Sequence, residues 1–356
     1  MATPDLDDIS AWQYKLPDEL IASRPAARRD DSRLMVVRRA SGQIEHRQIR
    51  DLPDLLSAGD RLIFNNTKVL PARLFGFRTS TKGKWEGLFL EEPQNGRWRI
   101  TGQTRGRLLP GETLTLVPAK EDVQQPPLQL RLIIQNDDGS WLVEPSRSES
   151  TIELLDQFGT LPLPPYIGRK VADENDQNRY QTVFANEPGA IAAPTAGLHF
   201  TPELLQKCSD QNVQTTEVTL HVGIGTFRPV SGDRLSEHRM HSEWCRLTQP
   251  AADEINATQA AGGNIVAVGT TSVRTLEAAA LAGPLAAWQD STDIFIKPGF
   301  SFQAVDQLLT NFHLPGSTLI VLVAALAGYD LTIEAYRQAV AERYRFYSYG
   351  DAMLIL

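Results

Sequence analysis

Two histidine-bearing, glycine-flanked segments lie close together in the middle of the chain, PTAGLHF at Pro194–Phe200 and TLHVGIGTF at Thr219–Phe227. Each places an imidazole beside small, flexible backbone and hydroxyl side chains. Glycine inside a regular element costs about 0.5–1 kcal/mol relative to alanine, so repeated glycine favours a place where backbone approaches a ligand closely. Histidine titrates near neutrality, which suits acid–base catalysis. The alternative is a pair of turns whose histidines are solvated or hydrogen-bonded in the core.

A third segment, IVAVGTTSVRTLE, offers an anion-binding geometry. The apolar run Ile265–Val268 predicts a strand, Gly269–Ser272 a turn, and Val273–Ala280 a helix. Free N–H groups and hydroxyls at a helix N-terminus suit a carboxylate or another anion. The alternative is simple helix capping by Thr271 or Ser272. Because neither a GxxxxGK[ST] nor a strand-following GxGxxG motif occurs, nucleoside triphosphates and nicotinamide cofactors are not favoured.

Metal chemistry is the competing interpretation of the histidines. His238 and His241 form an H-x-x-H pattern followed by Glu243, and three more histidines occur in the C-terminal two-thirds. The sequence has neither HExxH nor HxH, and Pro229 and Gly232 favour a loop, so no metal ligands are predicted. The two cysteines, Cys208 and Cys245, lack CxxC spacing and support neither a disulfide framework nor a zinc knuckle.

Length and charge set the frame for these segments. The 356 residues suit two domains, or one large domain with an insertion. The N-terminal segment is acidic and lacks the apolar core of a signal peptide. The most apolar stretch, Thr318–Gly328, is too short to cross a bilayer. A cytoplasmic setting is therefore expected. The net charge of −8 divides into +5 over residues 1–110 and −13 over the remainder. This asymmetry is compatible with one polyanion-binding face.

The hydrophobic pattern predicts three regions. The first, to about residue 62, has a short helix near Pro17–Ala22 and strands at Leu34–Val37 and Asp60–Phe64. The second contains six short strands separated by turn residues, typical of a small barrel: Ala72–Phe77, Glu86–Glu91, Arg97–Thr101, Thr113–Val117, Leu128–Ile134 and Ser140–Val143.

The third region, from about residue 152, predicts a mainly parallel α/β layer or barrel by its alternation of elements. The predicted helices are Pro202–Ser209, Pro250–Ala261, Ser272–Leu281, Val305–Leu309 and Thr332–Tyr344. The predicted strands are Glu217–His221, Ile265–Val268, Thr292–Phe295 and Thr318–Val323. Ligands in such folds bind at the carboxyl ends of strands, where the Gly269–Ser272 turn lies.

An ordered set of motifs closely resembles the S-adenosylmethionine:tRNA ribosyltransferase-isomerases of bacterial queuosine biosynthesis. The motifs are RDDSRLMVV, FNNTKVLPARLFG, LPPYIGR, RYQTVFA, APTAGLHFT, VTLHVGIGTFRPV, HRMHSEW, VAVGTTSVRTLE, TDIFIKPGF, LLTNFHLPGSTL and RYRFYSYGDAMLI. The resemblance runs from about residue 14 to the C-terminus and is weakest at about 76–150.

The resemblance implies an unusual use of S-adenosylmethionine as a co-substrate. Its ribosyl group is transferred to 7-aminomethyl-7-deazaguanine at the tRNA wobble position and rearranged to give epoxyqueuosine, with release of adenine and methionine. The implied fold is a barrel-like α/β domain, residues 1–62 and 152–356, with a small antiparallel β-barrel inserted at 63–151. No metal, no membrane and no obligate protein partner are implied.

The reaction can be set against the residues. Carbon next to a sulfonium is weakly acidic and needs a base, and adenine needs an acid to leave. His199 and His221 are the preferred candidates for these roles, with Asp293 and His313 as orienting or alternative groups. The candidates for cofactor binding are Thr195, Gly197, Gly223, Gly225, Gly269, Thr270, Thr271, Ser272 and Arg274. Asp293, Phe295 and Phe312 offer acidic or aromatic neighbours to the sulfonium. Alternatively, Asp293 is a capping carboxylate and His313 a hydrogen-bonded loop histidine.

The tRNA must present a splayed wobble base to the pocket. The residues predicted to neutralise phosphates are Arg28, Arg29, Arg33, Lys68, Arg73, Arg78, Arg343 and Arg345. RYRFYSYG interleaves basic and aromatic residues as base-stacking surfaces do, although its aromatics could instead pack into the core. Two alternatives stay open: a protein that binds tRNA or a nucleotide without chemistry, and a metal-dependent hydrolase.

Overall fold

The computed structural model describes residues 4–94, 96–119, 126–169, 171–223, 225 and 232–356. In chain order the strands are β1 (Arg33–Arg38), β2 (Gln43–Gln48), β3 (Arg61–Asn65), β4 (Thr67–Val69), β5 (Arg73–Arg78), β6 (Lys84–Gln94), β7 (Arg97–Thr104), β8 (Thr113–Leu116), β9 (Leu128–Gln135), β10 (Trp141–Pro145), β11 (Gly159–Thr160), β12 (Glu187–Ala190), β13 (Gln214–Leu220), β14 (Glu243–Leu247), β15 (Ile265–Val268), β16 (Trp288–Thr292), β17 (Gln307–Asn311) and β18 (Ala352–Ile355).

The α-helices are α1 (Thr151–Phe158), α2 (Glu174–Arg179), α3 (Pro202–Asp210), α4 (Gln249–Ala260), α5 (Thr270–Ala280), α6 (Thr318–Ala327) and α7 (Tyr329–Ala341). Short 3₁₀ turns lie at Ile9–Trp12, Asp18–Leu20, Arg29–Asp31, Ile49–Leu55, Pro165–Ile167, Thr195–His199 and Leu235–Glu237.

A nine-stranded mixed sheet forms the centre of the α/β part, in the order β16-β14-β13-β3-β15-β17-β18-β1-β2. Its four adjacent strands β13, β3, β15 and β17 are parallel to one another. The loops that follow these four strands therefore meet at one edge of the sheet. Strands β14, β16 and β18 add antiparallel pairings on either side, so the layer is more mixed than the predicted parallel one.

Both faces of this sheet are covered. Ile63 and Ala267 pack into the larger hydrophobic cluster, whereas their neighbours Leu62 and Val266 pack into a second cluster. Successive residues of these strands thus face opposite sides of the sheet and are apolar on both sides, as is typical of central parallel strands. Helix α5 is buried along most of its length against this sheet, which fixes its N-terminus at the edge where the loops meet.

The inserted unit is a closed antiparallel barrel. Its strands run in the order β5-β6-β7-β10-β9-β8, and a β5–β8 pairing closes the ring. All six predicted strands are confirmed. Trp85 lies inside, packed against glycine backbone: a Cβ built on Gly102 would lie 2.6 Å from the Trp85 ring. The barrel core also holds Trp98, Leu114 and Leu130.

Three predicted elements in the C-terminal region are wrong. Thr318–Val323, predicted as a strand, belongs to helix α6, which Ser317 caps and Gly328 ends at φ +89°. Val305–Leu309, predicted as a helix, overlaps strand β17, and the strand predicted at Thr292–Phe295 instead lies at Trp288–Thr292. Helix α6 is buried, so its uniformly apolar sequence carries no helical period.

The α/β class with an inserted small antiparallel barrel is confirmed. The boundaries at 62/63 and 151/152 stay predictions. Among the described residues no single helix is long and apolar enough to span a membrane, and the pair α6 and α7, which together would be, is bent by 119°.

Candidate functional site

A cavity of about 310 Å³ opens at the carboxyl edge of the parallel strands. Residues just beyond β15 and β17 form two of its walls, and Val222, just beyond β13, contributes to a third. Its lining residues are Pro165, Tyr166, Ala192, Ala193, Pro194, Thr195, Ala196, Val222, Gly269, Thr270, Thr271, Thr310, Asn311, Phe312, His313, Leu314, Pro315, Ser317, Leu319, Tyr347 and Ser348. This is the position at which α/β folds bind ligands.

The N-terminus of α5 opens into this cavity. Gly269 precedes the helix at φ +88°, a left-handed conformation that favours glycine. The Thr271 hydroxyl is buried and has no hydrogen-bond partner within the described structure. The Ser272 hydroxyl instead donates to the Val268 carbonyl at 2.9 Å and lies outside the lining. The predicted turn therefore supplies Gly269, Thr270 and Thr271 directly.

His313 lines the cavity from the loop after β17. Its side chain hydrogen bonds the Thr310 hydroxyl through Nε2 at 2.9 Å, and its backbone N–H donates to the Tyr336 hydroxyl at 3.1 Å. Only 9% of the residue is exposed, and burial lowers the pKa of His313 to about 3. The imidazole is therefore neutral at pH 7, able to accept a proton and unable to act as a resting cation.

His199 lies one layer behind the wall. Its Nε2 is 3.2 Å from Nδ2 of Asn311, whose Oδ1 accepts a hydrogen bond from the Thr195 hydroxyl at 2.9 Å. Asn311 and Thr195 line the cavity, whereas His199 does not. Burial lowers the pKa of His199 to about 4. The predicted histidine thus reaches the cavity through the amide of Asn311, a residue that sequence reasoning missed.

His221 follows β13 but is not among the lining residues. Its ring stacks on Trp244 with 4.8 Å between centroids, and its Nδ1 lies 2.8 Å from the Thr67 hydroxyl. The other ring nitrogen lies over Gly189, where a Cβ would approach it to 2.5 Å. Burial lowers the pKa of His221. These contacts place the ring against β12, beside the cavity wall formed by Val222.

The other predicted residues lie around the cavity rather than in its lining. Asp293 is exposed just after β16. Arg274 is buried in an ion pair with Glu243, which also accepts a hydrogen bond from the Gly223 backbone at 3.1 Å. Gly197 provides room for the Phe184 ring, 2.7 Å from a Cβ built there. The Gly223–Gly225 segment is described only at those two residues, because residues 224 and 226–231 lie outside the described part.

An aromatic pair at the cavity was not predicted as part of the site. The rings of Tyr166 and Tyr347 lie 4.0 Å apart at 33°, and both line the cavity. Tyr166 donates to the Ser348 hydroxyl, and Tyr347 adopts φ +74°, which is rare for a residue with a side chain. Tyr166 and Tyr347 are 181 positions apart in the sequence and belong to the motifs LPPYIGR and RYRFYSYG. Only the tertiary fold shows that they form one surface.

Six of the eight predicted phosphate-binding residues have the following environments. Lys68 and Arg343 are exposed and form no ion pair within the described ranges. Arg33 lies 3.7 Å from the centroid of the Tyr344 ring, and Arg73 lies 5.8 Å from that of Phe75. Two others face carboxylates, Arg78 at 2.6 Å from Glu112 and Arg345 at 3.6 Å from Asp351.

The two remaining arginines of the N-terminal segment also differ. Arg28 is exposed and pairs with Asp30 at 3.1 Å. Arg29 points inward and donates to several carbonyls, including that of Leu198 at 3.0 Å, while burial lowers its pKa to about 10. Its half-buried guanidinium therefore supports the His199 segment through the Leu198 carbonyl. Among the described residues, no three His, Cys, Asp or Glu side chains come together as a metal site requires.

The buried histidines should make the fold sensitive to acid. Histidine in an unfolded chain has a pKa near 6.5, so both histidines become protonated between pH 7 and pH 5 when the chain is unfolded. In the folded chain His313 and His199 stay neutral over this range, because their pKa values are lower. Lowering the pH over this window should reduce the free energy of unfolding by about 2 kcal/mol for each.

Urea unfolding at pH 7 and pH 5 measures this effect. The decrease in the free energy of unfolding from pH 7 to pH 5 should be smaller by about 2 kcal/mol in His313→Gln than in the wild type. His46→Gln, at an exposed position, should behave as the wild type does. An equal loss in wild type and His313→Gln would mean that His313 takes up a proton in the folded state.

The chain is similar to known proteins over nearly its full length. The profile of the family described as queuosine biosynthesis protein matches residues 9–355. Proteins named S-adenosylmethionine:tRNA ribosyltransferase-isomerase match at 49% identity in Symbiobacterium thermophilum and at 47% in Desulfitobacterium hafniense. These alignments cover 98% and 97% of this chain and 99% and 98% of the relatives.

A solved structure agrees with these relatives. The crystal structure of S-adenosylmethionine tRNA ribosyltransferase from Thermotoga maritima is 36% identical, with a TM-score of 0.56, and the match covers 97% of this chain and all of that one. The motifs that suggested the resemblance extend along the same length of sequence. The chain therefore belongs to the queuosine biosynthesis family of S-adenosylmethionine:tRNA ribosyltransferase-isomerases.

Proposed function

We propose that this enzyme transfers the ribosyl group of S-adenosylmethionine to 7-aminomethyl-7-deazaguanine at the tRNA wobble position. The sugar is isomerised to give epoxyqueuosine-tRNA, and adenine and methionine leave. The observation that connects the proposal to a site is the cavity beyond β15 and β17, which is lined by a neutral imidazole, by a hydroxyl without a partner among the described residues and by a helix N-terminus. The family relationship supports the reaction.

The methionine part of the co-substrate requires a partner for its carboxylate. Gly269, Thr270 and Thr271 present the N-terminus of α5, whose free N–H groups and dipole favour an anion. The unpartnered Thr271 hydroxyl adds a donor. Ser272 and Arg274 support this wall from behind, through the Val268 carbonyl and the Glu243 carboxylate respectively.

His313 is the base that the geometry favours. A sulfonium acidifies the carbon beside it, and removal of that proton requires a neutral acceptor within reach. His313 is neutral and lines the cavity, whereas His199 acts through Asn311 and His221 lies beside the wall. Tyr166 and Tyr347 offer planar faces to the adenine, which must be held while its bond to the sugar breaks.

The tRNA would enter from the basic side of the molecule. Residues 1–110 carry a net charge of +5 on a chain of −8. Lys68 and Arg343 are exposed and can contact phosphates directly. The other four arginines would have to exchange their present contacts with aromatic rings or carboxylates for contacts with phosphates: Arg33, Arg73, Arg78 and Arg345. We place the reaction in the cytoplasm, with tRNA as the macromolecular partner and without a metal.

Release of adenine tests the proposed function. Incubation with S-adenosylmethionine and tRNA carrying 7-aminomethyl-7-deazaguanine should yield adenine, methionine and modified tRNA in equal amounts. The same tRNA with guanine at the wobble position should yield none, and exhaustive chelation should leave the rate unchanged. Tight tRNA binding without adenine release would favour the non-catalytic alternative, and loss of activity on chelation would favour the metal-dependent one.

A further inference from the structure

The outer surface of the inserted barrel carries aromatic rings where a barrel exterior is normally polar. Arg73, Phe75 and Phe77 alternate along β5, so all three point away from the barrel interior that holds Leu74. Both phenylalanine rings are only half-buried. They border an open cavity of about 850 Å³ on the surface of the barrel.

Positive charge surrounds these rings. The Lys82 ammonium lies 5.0 Å from the centroid of the Phe77 ring, and Lys84 is the cross-strand neighbour of Phe77 on β6. Both lysines are exposed, and neither forms an ion pair within the described part of the chain. Among the described residues that line this cavity, Glu86, opposite Phe75, is the one carboxylate.

Three arginines elsewhere on the barrel face carboxylates. Arg99 pairs with Glu91 at 3.0 Å, and Arg131 and Arg147 pair with Glu144 and Glu149. Lys82 and Lys84 differ from these arginines, because they lie beside half-buried aromatic rings and face no carboxylate in an ion pair within the described residues. An apolar protein partner would have to desolvate these lysines without compensation, whereas a polyanion with planar bases would use both features.

We propose that this surface, formed by Arg73, Phe75, Phe77, Lys82 and Lys84 and called here the barrel platform, binds unpaired nucleotides of the tRNA substrate. The inference rests on the proposed function and adds a second contact to the one made by the wobble base. The two rings lie about 7 Å apart along β5, since alternate residues of a strand are separated by two rises of about 3.3 Å. Each ring offers a face to a base, and the lysines neutralise adjacent phosphates.

Salt-dependent tRNA binding by matched double variants tests the platform. Lys82→Gln with Lys84→Gln removes two platform charges. Arg97→Gln with Arg131→Gln removes two charges elsewhere on the barrel and serves as the control. The platform variant should lower the log–log salt slope of binding by about 0.7 for each phosphate lost, or about 1.4 in all, and the control should leave it unchanged. Lys82→Arg with Lys84→Arg should retain the wild-type slope.

Phe77→Ala tests stacking independently of charge. It should weaken tRNA binding by about 5-fold or more without changing the salt slope, because stacking releases no counterions. Single-stranded RNA should compete for the platform more strongly than duplex RNA of equal length. Thermal unfolding of each variant confirms that the barrel is intact, and adenine release at saturating tRNA should match the wild type.

Two results would overturn the platform: binding by the lysine variant equal to that of the Arg97/Arg131 control, or unchanged affinity in folded Phe77→Ala. Failure of the proposed function is separate. It would be seen as absent adenine release in the wild type, while the binding comparison among variants would still report on the platform.

Discussion

Replacing His313 with glutamine should lower the rate of adenine release by about 10²- to 10⁴-fold. Glutamine keeps a polar group that can bond Thr310 but cannot take a proton from carbon. The imidazole lines the cavity, and burial lowers its pKa to about 3, so the side chain is unprotonated at pH 7. Because the same burial weakens it as a base, the expected effect rests on its position in the cavity. The decrease should appear in kcat, while the KM for S-adenosylmethionine changes little.

Steady-state kinetics with both substrates measure this effect, and two histidine variants calibrate it. His46→Gln, at an exposed position, should retain wild-type rates. His221→Gln should be at least 10-fold more active than His313→Gln, because its ring stacks on Trp244 outside the lining. If His221→Gln lost more activity than His313→Gln, His221 would be the base and His313 a structural residue.

The sequence predicted the parts of the site that are local in the chain. Gly269–Thr271 follows a four-residue apolar strand and precedes a helix, so one short segment contained the strand, turn and helix that form the wall. Thr195 and His313 likewise belong to recognisable motifs. In contrast, Tyr166 and Tyr347 meet through the fold, and neither motif indicates that the other is its partner.

Two of the three failures in secondary structure lie in buried elements. Residues 305–327 pass through the centre of the molecule, where β17 and α6 are both buried. Helix α6 is apolar on every side, so the 3.6-residue period is not visible, and β17 is too short and too buried to show a two-residue alternation of polar and apolar residues. The barrel strands have an apolar inner face and a largely polar outer face, which is why all six were predicted.

Substitution of Asn311 by aspartate should lower turnover by about 10²-fold, as expected for a residue that positions a catalytic group. The Asn311 amide lies 3.2 Å from His199 and also donates to the Tyr347 carbonyl at 3.2 Å, while its oxygen accepts from Thr195. The change removes every hydrogen bond that the amide nitrogen donates. It also places a carboxylate against a buried imidazole, which should raise the pKa of His199 from about 4.

The pH dependence of adenine release distinguishes positioning from simple loss of stability. A raised His199 pKa should shift the acidic limb of the rate profile to higher pH in Asn311→Asp, with a smaller shift when His199→Gln is added. Asn186→Asp makes the same chemical change at an exposed position and should leave the profile unchanged. A variant that is slower at every pH by a constant factor would show that Asn311 only holds the fold. A shifted limb would instead connect His199, through one amide, to the cavity in which the sugar is transferred.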